Sequence, residues 1–69
     1  MYSRYMVNFE KQTIDLVTVI ERKSDYTIIE KENELYGIPN TDSNVMLVKN
    51  YEEACGLLYG AFSTWQVND

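Results

Sequence analysis

Histidine is absent from this 69-residue chain, cysteine and proline occur once each as Cys55 and Pro39, and glycine only three times. Without an imidazole no Ser-His-Asp arrangement can form around Ser24, Ser43 or Ser63. Acid–base work would fall to carboxylates or tyrosines, which need a pocket that drives their pKa values apart. Non-catalytic action is therefore the expectation, with no cofactor and no metal. One cysteine cannot close an internal disulfide, whereas secreted domains of this size lean on several, so the expected compartment is the cytoplasm. Long apolar runs are missing too. The longest, 57–62, contains Gly60 and falls far short of the roughly 20 residues that span a bilayer. The start offers one early base, Arg4, and Asn8, Glu10 and Lys11 interrupt the apolar positions after it, so no signal peptide is read.

What is present suits one small domain over residues 1–69, because chains divide at about 100–200 residues per domain. At roughly 0.05–0.15 kcal/mol per residue its stability is on the order of 3–10 kcal/mol, which leaves little to spend on strain at a site. A hydrophobic share of 45% is enough for collapse. The net charge is −5, from eleven acids and six bases. It is unevenly placed: up to Ile29 four acids balance four bases, and from Glu30 onward seven acids face only Lys31 and Lys49. Direct nucleic-acid binding needs clustered Lys and Arg and is disfavoured. A protein partner with a basic surface is favoured, and no membrane.

Tyr5, Val7 and Phe9 alternate as in a half-buried strand. Residues 13–21 are crowded with β-branched side chains (Thr13, Ile14, Val17, Thr18, Val19, Ile20), which suit a pleated surface. A helix seating Phe9, Thr13, Leu16, Val17 and Ile20 on one side competes with that strand. Ser24-Asp25 reads as a turn, 26–29 as a third strand, and 35–38 as a fourth ended by Pro39, with an acidic hairpin tip between them. After the polar loop 40–44 comes a short strand over 45–48. Asn50 with Glu53 three residues on resembles a capping box, so a helix starts at Tyr51. Its core stripe is Tyr51, Ala54, Cys55, Leu58, Ala61, Phe62 and Trp65. The polar end 66–69 is expected to fray. The expected fold is α+β: an antiparallel meander of four to five strands with one C-terminal helix packed across it.

Asn40, Asp42 and Asn44 set oxygen side chains at alternate positions, like the opening of a calcium loop. The match stops there, because Val45 stands where glycine is needed and Tyr51 where a bidentate glutamate is needed. Cys55 reads as a small core residue whose ionisation Glu52 and Glu53 oppose.

Two surfaces remain as candidates for contact. Glu30, Glu32 and Glu34, if extended, project to one side about 7 Å apart and imitate a row of phosphates, with Tyr36 and Asp42 following them. Six tyrosines are many for this length, and their rings and hydroxyls suit interfaces, although Tyr5, Tyr26 and Tyr51 are assigned to the core. On the helix, Gly56, Gly60 and Ser63 fall opposite the core stripe beside Tyr59 and Glu52. Glycine inside a helix costs about 1 kcal/mol relative to alanine. Two of them on one outer face point to a backbone approaching closely, and replacing both by alanine is expected to strengthen the helix while weakening association. The partner-binding set is therefore Glu30, Glu32, Glu34, Tyr36, Asp42, Glu52, Gly56, Tyr59, Gly60 and Ser63.

The expected function is that of a protein-binding module. In size and charge the chain is similar in kind to small phage or mobile-element inhibitors that occupy the basic surface of a host nucleic-acid-handling protein. That likeness is one of class, with no family motif behind it. The alternative is a homo-oligomeric structural or accessory protein, a homodimer through its helix face or a strand edge.

Overall fold

A computed structural model describes residues 1–60. The expected Ala61, Phe62 and Trp65 of the stripe, the polar end and Ser63 lie outside the described residues. The elements are β1 (Tyr2–Asn8), β2 (Thr13–Arg22), β3 (Tyr26–Lys31), β4 (Glu34–Pro39), β5 (Val45–Val48) and α1 (Tyr51–Tyr59). Residues 13–22 are a strand. The helix that competed for them would have scattered Val17 and Val19, which the strand buries side by side on one face.

The four strands β1 to β4 form the antiparallel meander, and β5 returns to pair with β1, giving the order β4-β3-β2-β1-β5. This order forces curvature. Four spacings of about 4.8 Å would hold β4 and β5 about 19 Å apart in a flat sheet. The segment joining them folds into two successive turns, with Asp42 N–H donating to Pro39 O (3.0 Å) and Val45 N–H to Asp42 O (3.4 Å). Each such turn keeps its ends within about 7 Å, so Pro39 and Val45 lie within about 14 Å. The sheet must curl, and the register shift between Val19 and Glu21 supplies a local bend in β2.

Each face of the curled sheet has its own core. On the concave side Val17, Val19 and Ile29 are buried with Met6, Ile38 and Leu47 packed on them, although α1 does not lie there. On the convex side Val7, Val48 and Ala54 are buried among Tyr5, Phe9, Ile14 and Leu58, because α1 covers β1, β5 and part of β2.

The helix begins where the sequence places it. Asn50 has extended backbone and its Oδ1 accepts the Glu53 N–H at 2.7 Å. It ends sooner than expected. Gly60 adopts φ 62° and its N–H donates to Gly56 O at 3.1 Å, so α1 ends at Tyr59. Tyr5 is half-buried and meets Tyr51 edge to face at 5.6 Å. Tyr51 and Tyr26, expected in the core, are 54% and 38% exposed, because the helix starts at the rim of its contact and does not reach Tyr26, whose ring meets the Lys23 ammonium at 5.8 Å instead.

Candidate functional site

The β3–β4 hairpin turns through two residues only, Glu32 and Asn33, with φ 54° and 66°. Positive φ at both positions is the type I′ geometry that matches the twist of the flanking strands. This overturns the phosphate-like row. Glu30 and Glu34 lie on different strands and do not face each other; Glu30 pairs with Leu35, and Glu34 with Lys31. Since side chains alternate, Glu30 shares the convex face with Leu35, whereas Glu34 shares the concave face with Tyr36. Glu32 stands at the tip. The three carboxylates therefore surround the hairpin end instead of lining one side.

Tyr36 donates its hydroxyl to Glu34 Oε1 at 2.9 Å. That bond to a carboxylate, followed by the carboxylate's charge, holds the phenol above its ordinary value of 10.0. Leu35 beside it is 67% exposed and Tyr36 is 42% exposed. Sequence patterning treated Leu35 as an ordinary strand residue. Its partnerless position follows from α1 covering only the other half of the sheet.

Where the curled sheet fails to close, a groove of about 320 Å³ opens between β4 and the β1–β2 and β5 side. Met6, Ile29, Ile38 and Val45 give it an apolar lining. At its rim Lys31 Nζ lies 3.5 Å from Asp15 Oδ2, a half-exposed pair across neighbouring strands. Asp42 also reaches this groove, separately from the hairpin acids. It works as a turn former, its Oδ1 accepting the Asn44 N–H at 2.9 Å. Asn40, read only as loop, is a clamp: Thr27 Oγ1 donates to its Oδ1 (2.7 Å) and its Nδ2 donates to Lys23 O (2.8 Å). Buried Thr27 is thereby satisfied. No group of three metal-binding side chains occurs among the described residues.

The helix face changes most from expectation. Glu52 and Tyr59 are exposed, but Gly56 is buried and belongs to the inner side of α1. Gly60 lies on no face; it is the left-handed cap. The pair of costly outer glycines therefore does not exist, and with it goes the expectation that alanine at both would strengthen the helix. Cys55 is half-buried, and its contact with Tyr51 one turn earlier, chiefly hydrogen bonding, raises that phenol.

No family model, curated protein or solved structure matches this chain. Among the described residues no helix is long and apolar enough to cross a membrane. The reading of function thus rests on the geometry of the hairpin, the groove and the charges around them.

Proposed function

We propose that this chain is a non-catalytic, cytoplasmic protein-binding module that inserts its β3–β4 hairpin into a basic surface of a partner protein. The observation that carries this is the hairpin end: Glu30, Glu32 and Glu34 surround a two-residue turn with Leu35 and Tyr36 exposed behind it, and α1 makes no contact with β3 or β4. Acids on both faces and at the tip suit a cleft better than a flat surface, since each wall of a basic cleft then meets a carboxylate. The clefts of nucleic-acid-handling proteins have this character, so occupying one makes the chain an inhibitor, as small phage or mobile-element proteins are.

Affinity capture with the wild type and with the triple variant Glu30→Gln, Glu32→Gln, Glu34→Gln tests this. The expected capture is a nucleic-acid-binding protein that double-stranded DNA displaces. With each exposed pair contributing about 0.5 kcal/mol, the variant should bind it about tenfold more weakly and with a shallower salt dependence. Equal affinity of the variant across salt overturns the reading.

A further inference from the structure

The turn fixes which backbone groups of β4 point outward. In a two-residue hairpin the pair flanking the turn is hydrogen-bonded, so Lys31↔Glu34, Ile29↔Tyr36 and Thr27↔Ile38 exchange bonds, and Leu35, Gly37 and Pro39 turn theirs away from β3. Two bonds outside the ladder agree: Asn40 N–H donates to Asp25 O (2.9 Å), continuing the alternation, and Pro39 O accepts from Asp42 N–H (3.0 Å) on the outer side. Pro39, which has no N–H to offer, sits where none is needed inside the sheet. The free edge is thus the N–H and C=O of Leu35 and of Gly37. Between Glu34 at one end of β4 and Pro39 at the other, Leu35, Tyr36 and Gly37 carry no charge, bulge or proline.

We infer that two copies of this chain pair antiparallel along this edge, about a two-fold axis at Tyr36. In that register Leu35 faces Gly37 of the second copy, twice over by symmetry, and all four free groups of each copy find partners. Side chains fit the same register. On the convex face Leu35 comes to lie over the Gly37 of the other chain, where the absent Cβ leaves room bounded by Tyr26, 3.6 Å from that Cβ position. On the concave face the two Tyr36 rings meet as a cross-strand pair. The two Glu34 carboxylates do not meet: each lies opposite Ile38 of the other copy, four residues from its own counterpart, about 13 Å, beyond the Debye length of about 8 Å at physiological salt, while the net charge of −5 on each copy keeps the pairing weak. A second copy satisfies these constraints without any outside component. The pairing goes beyond the binding of a basic partner and does not depend on it; the triple Glu→Gln variant should retain it.

So short an edge belongs to the small class of interfaces, below about 1,200 Å², which associate weakly. Sedimentation of the wild type should show the mass rising from 8.1 kDa toward twice that between about 10 µM and 1 mM. Gly37→Pro should stay monomeric with an unchanged circular dichroism spectrum, since the lost N–H points outward. In a Cys55→Ala background, oxidised Tyr36→Cys should cross-link across the axis and Ile38→Cys should not. A wild type that remains monomeric throughout, a Gly37→Pro variant that still dimerises, or a cross-link formed only between mixed Tyr36→Cys and Ile38→Cys chains would each overturn the stated pairing.

Discussion

The two halves of this sheet are built alike and finished differently. Around β1 and β5 both faces carry a core: α1 covers Val7 and Val48 from the convex side, though Met46 and Leu16 beside them stay exposed, and the curl of the sheet covers Met6 and Leu47 from the concave side. The β3–β4 hairpin is held chiefly from the concave side, by Ile29, Ile38 and the Thr27–Asn40 clamp, while Leu35 and Tyr26 on its outer face stay 67% and 38% exposed. The same strand pattern therefore serves as core in one half and as surface in the other. What differs is the reach of a nine-residue helix, too short to extend over all five strands. A region held from one side opens at lower free energy than one held from both, and it also leaves its outer side available for contact.

The sharpest test of this contrast is within the hairpin itself. Ile29→Ala removes the side chain that fastens β3 to the concave core and should cost about 2–5 kcal/mol, a large part of a stability of roughly 3–10 kcal/mol. Leu35→Ala, on the strand beside it but facing outward, should change stability by less than about 0.5 kcal/mol at concentrations where the chain is monomeric. Urea denaturation of the two variants measures both. Equal losses would mean that the outer face is also a packed one, and the contrast between the halves would fail.

Most of the architecture was legible because it rests on local chemistry. β-Branching over Thr13–Ile20, the Pro39 stop, the bounds of β5 and the Asn50 cap are each written within a few residues. The pairing of β5 with β1 was not, since it depends on the two tight turns between Pro39 and Val45 curling the whole sheet. The site was read less well for the same reason. Spacing alone placed Glu30, Glu32 and Glu34 in a row because no Gly marks the I′ turn at Glu32-Asn33. Helical spacing also put Gly56 on an outer face, because an extended stripe through Trp65 was used to orient a helix that Gly60 ends at Tyr59.

Positive φ occurs in both halves, at Gln12 (58°) and Gly60 in the covered one and at Glu32 and Asn33 in the other, and gives a smaller test. In the covered half Gly60 holds φ 62° with no side chain to clash, so Gly60→Ala should destabilise by about 1 kcal/mol. In the half that α1 does not reach, Glu32 holds φ 54° with a full side chain, so Glu32→Gly should stabilise by up to about 1 kcal/mol through relief of that strain. Thermal midpoints for the two variants should move in opposite directions. If both fall, the hairpin turn is better adapted to Glu32 than its backbone implies.

The smallest effect concerns pH. The Glu34 carboxylate accepts the Tyr36 hydroxyl and raises its pKa above 10.0 in the folded chain, whereas the unfolded chain keeps the ordinary value. The folded state therefore holds the phenolic proton more tightly. Stability from this contact is fully present below pH 10 and is lost as pH rises through the raised folded value, because there the folded chain carries more protons than the unfolded one. Glu34→Gln removes both the carboxylate acceptor and its charge, and should bring Tyr36 back toward 10. Absorbance titration of tyrosinate in the two proteins isolates this residue by difference, since Tyr51 takes its own shift from Cys55 and is common to both. Superimposable titrations would mean that the Tyr36 hydroxyl points to water and that Glu34 does not anchor the ring on the exposed side of the hairpin.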